Sequence, residues 1–159
     1  MNKKGFTLVE LLAVIAILAI LVIIAMPNVM GMFKNAKKSS FLTETQTILK
    51  TSNTQYITDA MTGAAEKEYA RVSNAAPSGM TILDMSGNTN IDYYIKYNQT
   101  GDVVVANFTN HTYTVECTGT SGAGVTVEDL SENSTSTKCV VKEIGTDRTD
   151  DLSVVPSAS

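Results

Sequence analysis

The residue whose type and position ask most for a chemical explanation is Glu10, the sole charge between Phe6 and Met26 in an otherwise apolar run. A carboxylate inside an apolar helix costs about 2.5 to 3.5 kcal/mol on insertion scales and calls for a partner. No basic side chain within the run supplies one. Two readings stay open: the carboxylate lies near an interface and is protonated or snorkels, or a counter-charge is created. Cutting the chain between Gly5 and Phe6 would do the latter, because the new α-amine of Phe6 would stand at i to i+4 spacing from Glu10.

Other candidates for chemistry are sparse. Cys117 and Cys139 form an even pair in the polar part of the chain, which permits one disulfide beyond an export-like segment. Two free thiols packed as small apolar residues are the alternative. The two cysteines with the lone His111 do not make a tetrahedral ligand set, so no metal and no cofactor is expected, and His111 reads as a turn residue. Glu128, Asp129 and Glu132, and Asp147, Asp150 and Asp151, lack the D-x-[DN]-x-[DN]-G pattern of a calcium loop and read as solvated charge. No nucleophile and base pair and no phosphate loop is present, so the chain does not read as an enzyme.

The elements that position these residues follow from composition. A length of 159 residues suits one domain with an appendage. A net charge of −4, with Lys34, Lys37 and Lys38 as the one basic cluster, argues against nucleic-acid binding, since neutralising phosphates needs clustered Lys and Arg. Residues 6–26, FTLVELLAVIAILAILVIIAM, would span about 30 Å as a helix, the thickness of a bilayer core. The run is too long for an ordinary cleaved signal, and no Ala-x-Ala triplet follows it. Lys34, Lys37 and Lys38 then form a collar whose stems can snorkel along the membrane surface. Lys3 and Lys4 balance them at the other end, so charge counting leaves the orientation open.

Lys3-Lys4-Gly5-Phe6-Thr7-Leu8-Val9-Glu10, followed by an apolar helix, resembles the class III signal of type IV prepilins. The resemblance covers roughly the first 35 residues. It implies that a prepilin peptidase cuts between Gly5 and Phe6 and methylates the Phe6 amine, that the leader lysines face the cytoplasm, and that Glu10 serves filament assembly. It also implies three parts: a leader at 1–5, an apolar transmembrane and filament-core half-helix at 6–33, and a globular head at 34–159.

Beyond the apolar run, Pro27 removes a helical hydrogen bond and Gly31 adds backbone freedom, so a kink or partial unwinding is expected there. In type IV pilins such positions are associated with local melting on assembly, which the resemblance carries to Pro27 and Gly31. Phe41, Thr45, Ile48, Ser52 and Tyr56 recur every three or four residues, with Leu42 and Leu49 on the same face, predicting one long helix from Phe6 to about Met61. Thr62-Gly63 stops it, and Ala64 to Val72 reads as a short second helix. Pro77, Gly79 and Gly87 mark a loop. Strands are expected at Ile91–Tyr97 with one buried side, Val103–Phe108, Thr112–Thr118 and Lys138–Ile144, separated by turns at Asn98–Asp102 and Asn110-His111. The expected class is α+β, a long helix on an antiparallel sheet of about four strands, similar to the type IV pilin fold. The tyrosines read as core and sheet residues, and many type IV pilins close a C-terminal loop with a disulfide at a position like that of Cys117 and Cys139.

The resemblance implies a major pilin, a homopolymer assembled by pilus machinery from a single-pass precursor in the cytoplasmic membrane into a surface filament for adhesion, twitching motility or aggregation. A pseudopilin or minor pilin of a type II secretion or DNA-uptake system shares the same signal. An enzyme or receptor head on a signal anchor is the alternative from another class.

Overall fold

The computed structural model describes residues 7–63, 66–85, 90–132 and 134–144. Gly5, Phe6 and the leader lysines, Gly87, and the acidic group at Asp147, Asp150 and Asp151 lie outside the described residues. The chain divides into two compact units, Met1–Lys38 and Ser39–Ser159.

One helix, α1, runs from Leu8 to Ala60, 53 residues with Pro27 inside it. The helix is continuous through Pro27 and Gly31, so the unwinding expected there is not adopted in this state. Losing one hydrogen bond is tolerable in so long a ladder. In the first unit every described residue through Lys37 is exposed, including Leu8, Ile15, Leu21, Ile24 and Phe33.

In the second unit α1 presents one buried face made of Phe41, Leu42, Thr45, Ile48, Leu49 and Ser52, the face its sequence period marked. Thr45 and Ser52 are buried and polar, and each hydroxyl donates to a carbonyl of its own helix, those of Leu42 and Leu49. The face therefore buries no unsatisfied hydroxyl. At the helix end the amides of Thr62 and Gly63 donate to the carbonyls of Asp59 and Ala60, and Gly63 takes a φ of 98° that favours glycine.

The sheet has five strands, one more than the sequence pattern indicated: β1 (Lys67–Arg71), β2 (Asp92–Tyr97), β3 (Val103–Thr109), β4 (Tyr113–Thr118) and β5 (Cys139–Glu143). They form an antiparallel meander in the order β1-β2-β3-β4-β5. The extra strand overturns the short helix expected at Ala64 to Val72. Good helix formers such as Ala, Glu and Lys set only a weak local preference, whereas Tyr69 pairs with Ile95 and Ala70 with Tyr94 in the ladder. Tyr69 then enters the main core and Ala70 the opposite face, both fully buried.

β2 also departs from a single buried side. Tyr93, Ile95 and Tyr97 face the main core, while Tyr94 packs with Ala70, Met80 and Val105 on the other face. The segment after Pro77 makes this cover, because Thr81 bonds along β1, its carbonyl accepting from the Ala70 amide at 3.0 Å. Leu83 beyond it donates its amide to the Tyr93 hydroxyl at 2.9 Å.

Tyrosines join α1 to the sheet. Tyr97 stacks on Tyr56 with ring centres 4.4 Å apart and meets Tyr69 edge-on at 5.9 Å. Its hydroxyl donates to the Asn53 side chain and shares a bond with Ser52, and the Tyr69 hydroxyl donates to Asp59 at 2.8 Å. Burial pushes the Tyr97 phenol up to about 12, and burial with the Asp59 carboxylate raises Tyr69 as well.

Cys117 and Cys139 are directly opposed in the β4 to β5 ladder and joined by a disulfide, with Cα atoms 4.1 Å apart. The loop they enclose folds back on the start of β3. The Gly119 and Val125 amides donate to the carbonyls of Val104 and Val103, both at 2.9 Å. A Cβ at Gly119 would stand 2.3 Å from the Val103 carbonyl oxygen, and one at Gly124 would stand 3.0 Å from the Asp102 side chain. Asp102 clasps the loop to the β2 to β3 turn by accepting from the Gly122 amide at 2.8 Å and the Thr100 hydroxyl at 2.7 Å. The Gly122 amide, then the Thr100 hydroxyl, lower the Asp102 carboxyl. At Asp129 burial raises the carboxyl, but bonds from Ser136 and Thr126 and the Lys138 ammonium outweigh it, and the net direction is down.

Two outcomes follow from this packing. Gly119→Ala should lower head stability by about 1 to 3 kcal/mol through overpacking, read as a denaturant midpoint shift at unchanged slope. Stability against pH should be flat between about pH 5 and 8. It should fall on the acid side as Asp102 and Asp129 protonate, because carboxyls lowered in the fold stabilise fully above the ordinary value of 3.8 and lose that contribution as the pH falls below it through their folded values. It should fall again above the ordinary phenol value of 10.0, because unfolded tyrosine ionises before Tyr97 does at about 12. Melting temperatures across the range check both limbs, and a maximum outside the plateau would contradict the assignment.

Candidate functional site

The features that bear on function lie along the first half of α1. Its first turn is closed by Thr7 and Glu10. The Thr7 amide and hydroxyl donate to Glu10 Oε2 at 2.8 and 2.7 Å, and the Glu10 amide returns a bond to the Thr7 hydroxyl at 3.3 Å. The Leu11 amide donates to the Thr7 carbonyl, the first rung of the helix. This is a capping box, in which an N-terminal hydroxyl and a carboxylate three residues on satisfy each other's backbone amides.

Glu10 thus has a local partner in Thr7 that is not a cation. The signal was present as Thr7-x-x-Glu10 ahead of an apolar run. Bonds to a charged acceptor are stronger than bonds between neutral groups, so the Thr7 amide and hydroxyl offset part of the cost of placing the carboxylate there. Glu10 can therefore remain at the start of an apolar helix before any counter-charge arrives. The negative group also complements the amide end of the helix dipole.

Beyond the cap comes bare apolar helix. Ile23 keeps 71% of its surface exposed and Ile24 66%. Val22, Ala25, Met26, Val29, Met30 and Phe33 outline a shallow apolar depression beside Pro27. Nothing lies within 4 Å of where a Cβ at Gly31 would stand, so no contact in this state requires glycine there. The apolar stretch passes into Lys34, Lys37 and Lys38, of which the first two are exposed.

His111 sits in the β3 to β4 turn with a φ of 62°, its Nε2 3.6 Å from the Asp92 carboxylate. Asp129 is engaged with Thr126 and Lys138. Among the described residues no group of three or more His, Cys, Asp or Glu is gathered as a metal site would need.

Residues 1–26 match the family model for the prokaryotic N-terminal methylation motif. No curated protein and no solved structure matches the chain. The match defines a prepilin-type signal, and the long helix with a five-stranded antiparallel sheet is consistent with the type IV pilin fold. The chain is thus pilin-like in its signal and architecture. Its precursor is anchored in a membrane by the apolar helix, and the motif implies processing by a prepilin peptidase.

Thr7→Val should remove both hydroxyl bonds of the cap and weaken the first helical turn by about 1 kcal/mol. Amide exchange at residues 8–11 of the chain in bicelles would accelerate several-fold. Unchanged protection would mean that the lipid, not the cap, holds this turn.

Proposed function

We propose that the chain is the structural subunit of a type IV pilus, a major pilin held in the cytoplasmic membrane until it is processed and polymerised into a surface filament. The observation that carries this reading is the apolar half of α1, exposed from Leu8 to Phe33 and opened by the methylation motif. A helix of that kind is at home in lipid or among other helices of the same type. Moving from one to the other exchanges one apolar environment for another, so assembly needs little net hydrophobic gain and depends on packing and polar contacts.

Glu10 supplies the polar contact in this scheme. Cleavage between Gly5 and Phe6 leaves a positive amine one helical turn away, and Thr7 keeps the carboxylate oriented at the helix end. Pairing with a Phe6 amine, in the same or a neighbouring subunit, then selects the register at which helices stop sliding. Pro27, which cannot donate to the ladder, and Gly31 are the positions at which α1 would loosen to fit its neighbours. The globular head with its closed disulfide loop faces outward on the filament and carries adhesion, motility or aggregation.

Glu10→Gln should leave membrane insertion intact and abolish or strongly reduce filaments, scored by shearing cells and imaging the fraction by electron microscopy. Normal filament yield from this variant would sink the role of the carboxylate. Intact mass of the sheared wild-type protein tests the reading as a whole. A chain starting at methylated Phe6 in an abundant surface fraction is the expected result, and a chain found only in membranes and starting at Met1 would defeat it.

A further inference from the structure

The face of α1 turned away from the sheet is not used by the scheme above. Within the head it carries Ser40, Thr43, Thr47, Thr51, Thr54 and Thr58, which follow one another at steps of three or four residues and so form a single stripe along the helix. All are exposed except Thr51, which is half-buried. The buried face made by Phe41, Ile48, Leu49 and Ser52 lies on the opposite side of the helix.

Threonine is a poor choice for a helix face meant only for water. It is β-branched and loses rotamer freedom in a helix, where Lys, Glu or Gln would serve solvent better. The hydroxyl donors are also spent inside the helix. Those of Thr43, Thr47 and Thr51 go to the carbonyls of Ser39, Thr43 and Thr47 at 2.9, 3.0 and 3.0 Å, and those of Thr54 and Thr58 to Lys50 and Thr54 at 3.2 and 3.1 Å. Covering the stripe therefore strands no hydroxyl donor, and the short side chains let another backbone come close.

The anchor decides what covers it. Every copy is held by the same apolar span behind the same signal, hence in one direction and at one depth, so the threonines of two neighbouring copies stand level. An uncharged stripe does not repel its own copy. Lys50 and Glu44 flank it on opposite sides, and opposite flanks meet when two parallel helices are related by a two-fold axis along them, so Lys50 is not set against itself. Carried back along the sequence by the same steps, the count meets Ala36, Phe33, Val29, Ala25 and Val22, again without a charge. From Ser40 to Thr58 the helix rises about 27 Å, which at a width of about 10 Å is roughly 300 Å² per copy, less than the roughly 800 Å² per partner of a stable interface between free proteins. Confinement to one bilayer compensates by raising the effective concentration of the partner.

We propose that the threonine face of α1 is a self-association surface, on which two precursors pair in the membrane, parallel and in register, before the leader is cut. The inference rests on membrane anchoring by α1 and does not require that a filament form.

The test is cysteine cross-linking of the full chain in cell membranes, one substitution at a time, with the native disulfide in place. On mild oxidation Thr47→Cys and Thr54→Cys should give several-fold more covalent dimer than Gln46→Cys, about 100° around the helix from Thr47, or Thr120→Cys in the disulfide loop. Intact mass should find chains starting at Met1 in that dimer. Added to Thr47→Cys, Thr54→Lys should abolish the dimer and Thr54→Val should keep it, which guards against a folding defect. Equal cross-linking at all four positions would overturn the proposal, as would a dimer that survives Thr54→Lys or contains only processed chains. Dimers in cells that shed no filaments would uphold it while defeating the filament reading, and filaments shed without such dimers would do the reverse.

Discussion

Side chains from Leu8 to Phe33 remain exposed along the helix, and water is a poor solvent for a surface of that kind. The other features of this half of α1 are answers to that constraint. A helix is required because lipid offers the backbone no hydrogen bonds, which is also why Pro27 is tolerated as a single lost rung and not as a break. The first turn, whose amides have no partners within the helix, is closed by Thr7 and Glu10. At the other end the chain turns abruptly from apolar residues to lysine. Two polar ends and an apolar middle of bilayer length make one physical unit.

The head answers a different problem, which is to attach a helix to a twisted sheet with polar groups in the joint. Asn53 and Asp59 on α1 accept from the hydroxyls of Tyr97 and Tyr69, Ser52 shares a bond with Tyr97, and the aromatic rings fill the space between helix and sheet. Tyrosine suits this position because it buries a large ring and still brings its own donor to the partner. The same chemistry makes the joint sensitive to alkali and indifferent to pH near neutrality. At the far side of the sheet the disulfide performs a comparable task with less apolar material. It ties β5 to β4 while the Gly-rich loop lies flat against β3, where glycine is needed at 119 because a side chain would strike the Val103 carbonyl.

Much of this was legible in the residues. The buried face of α1 was readable from the spacing of Phe41, Thr45, Ile48 and Ser52, because a helix repeats its environment every turn. The strands at β2, β3, β4 and β5 were readable from alternation and from the turns at Asn98 and Asn110, whose side chains accept from amides within their own turns. Thr7-x-x-Glu10 is legible as well, but by residue type alone Glu10 reads equally as a charge lacking a cation and as the third residue of a helix cap. A carboxylate can be satisfied by amides and hydroxyls, and only the geometry of the first turn shows that it is.

What the sequence by itself determined is local chemistry: a span long enough to cross a membrane, the residues of a prepilin-type signal, the period of the long helix, and the availability of two cysteines. These depend on neighbours within a few positions, so they survive without knowledge of the fold. Tertiary structure decided the rest. Lys67–Arg71 became a strand because the edge of β2 offered a ladder, overriding the helical preference of its residues. Tyr94 was buried on the second face because the chain after Pro77 happened to return across it. Asp102 became a clasp because Gly122, twenty residues away, was brought to its carboxylate. Each of these is a contact between distant segments, and the energy that selects it exists only once both segments are in place.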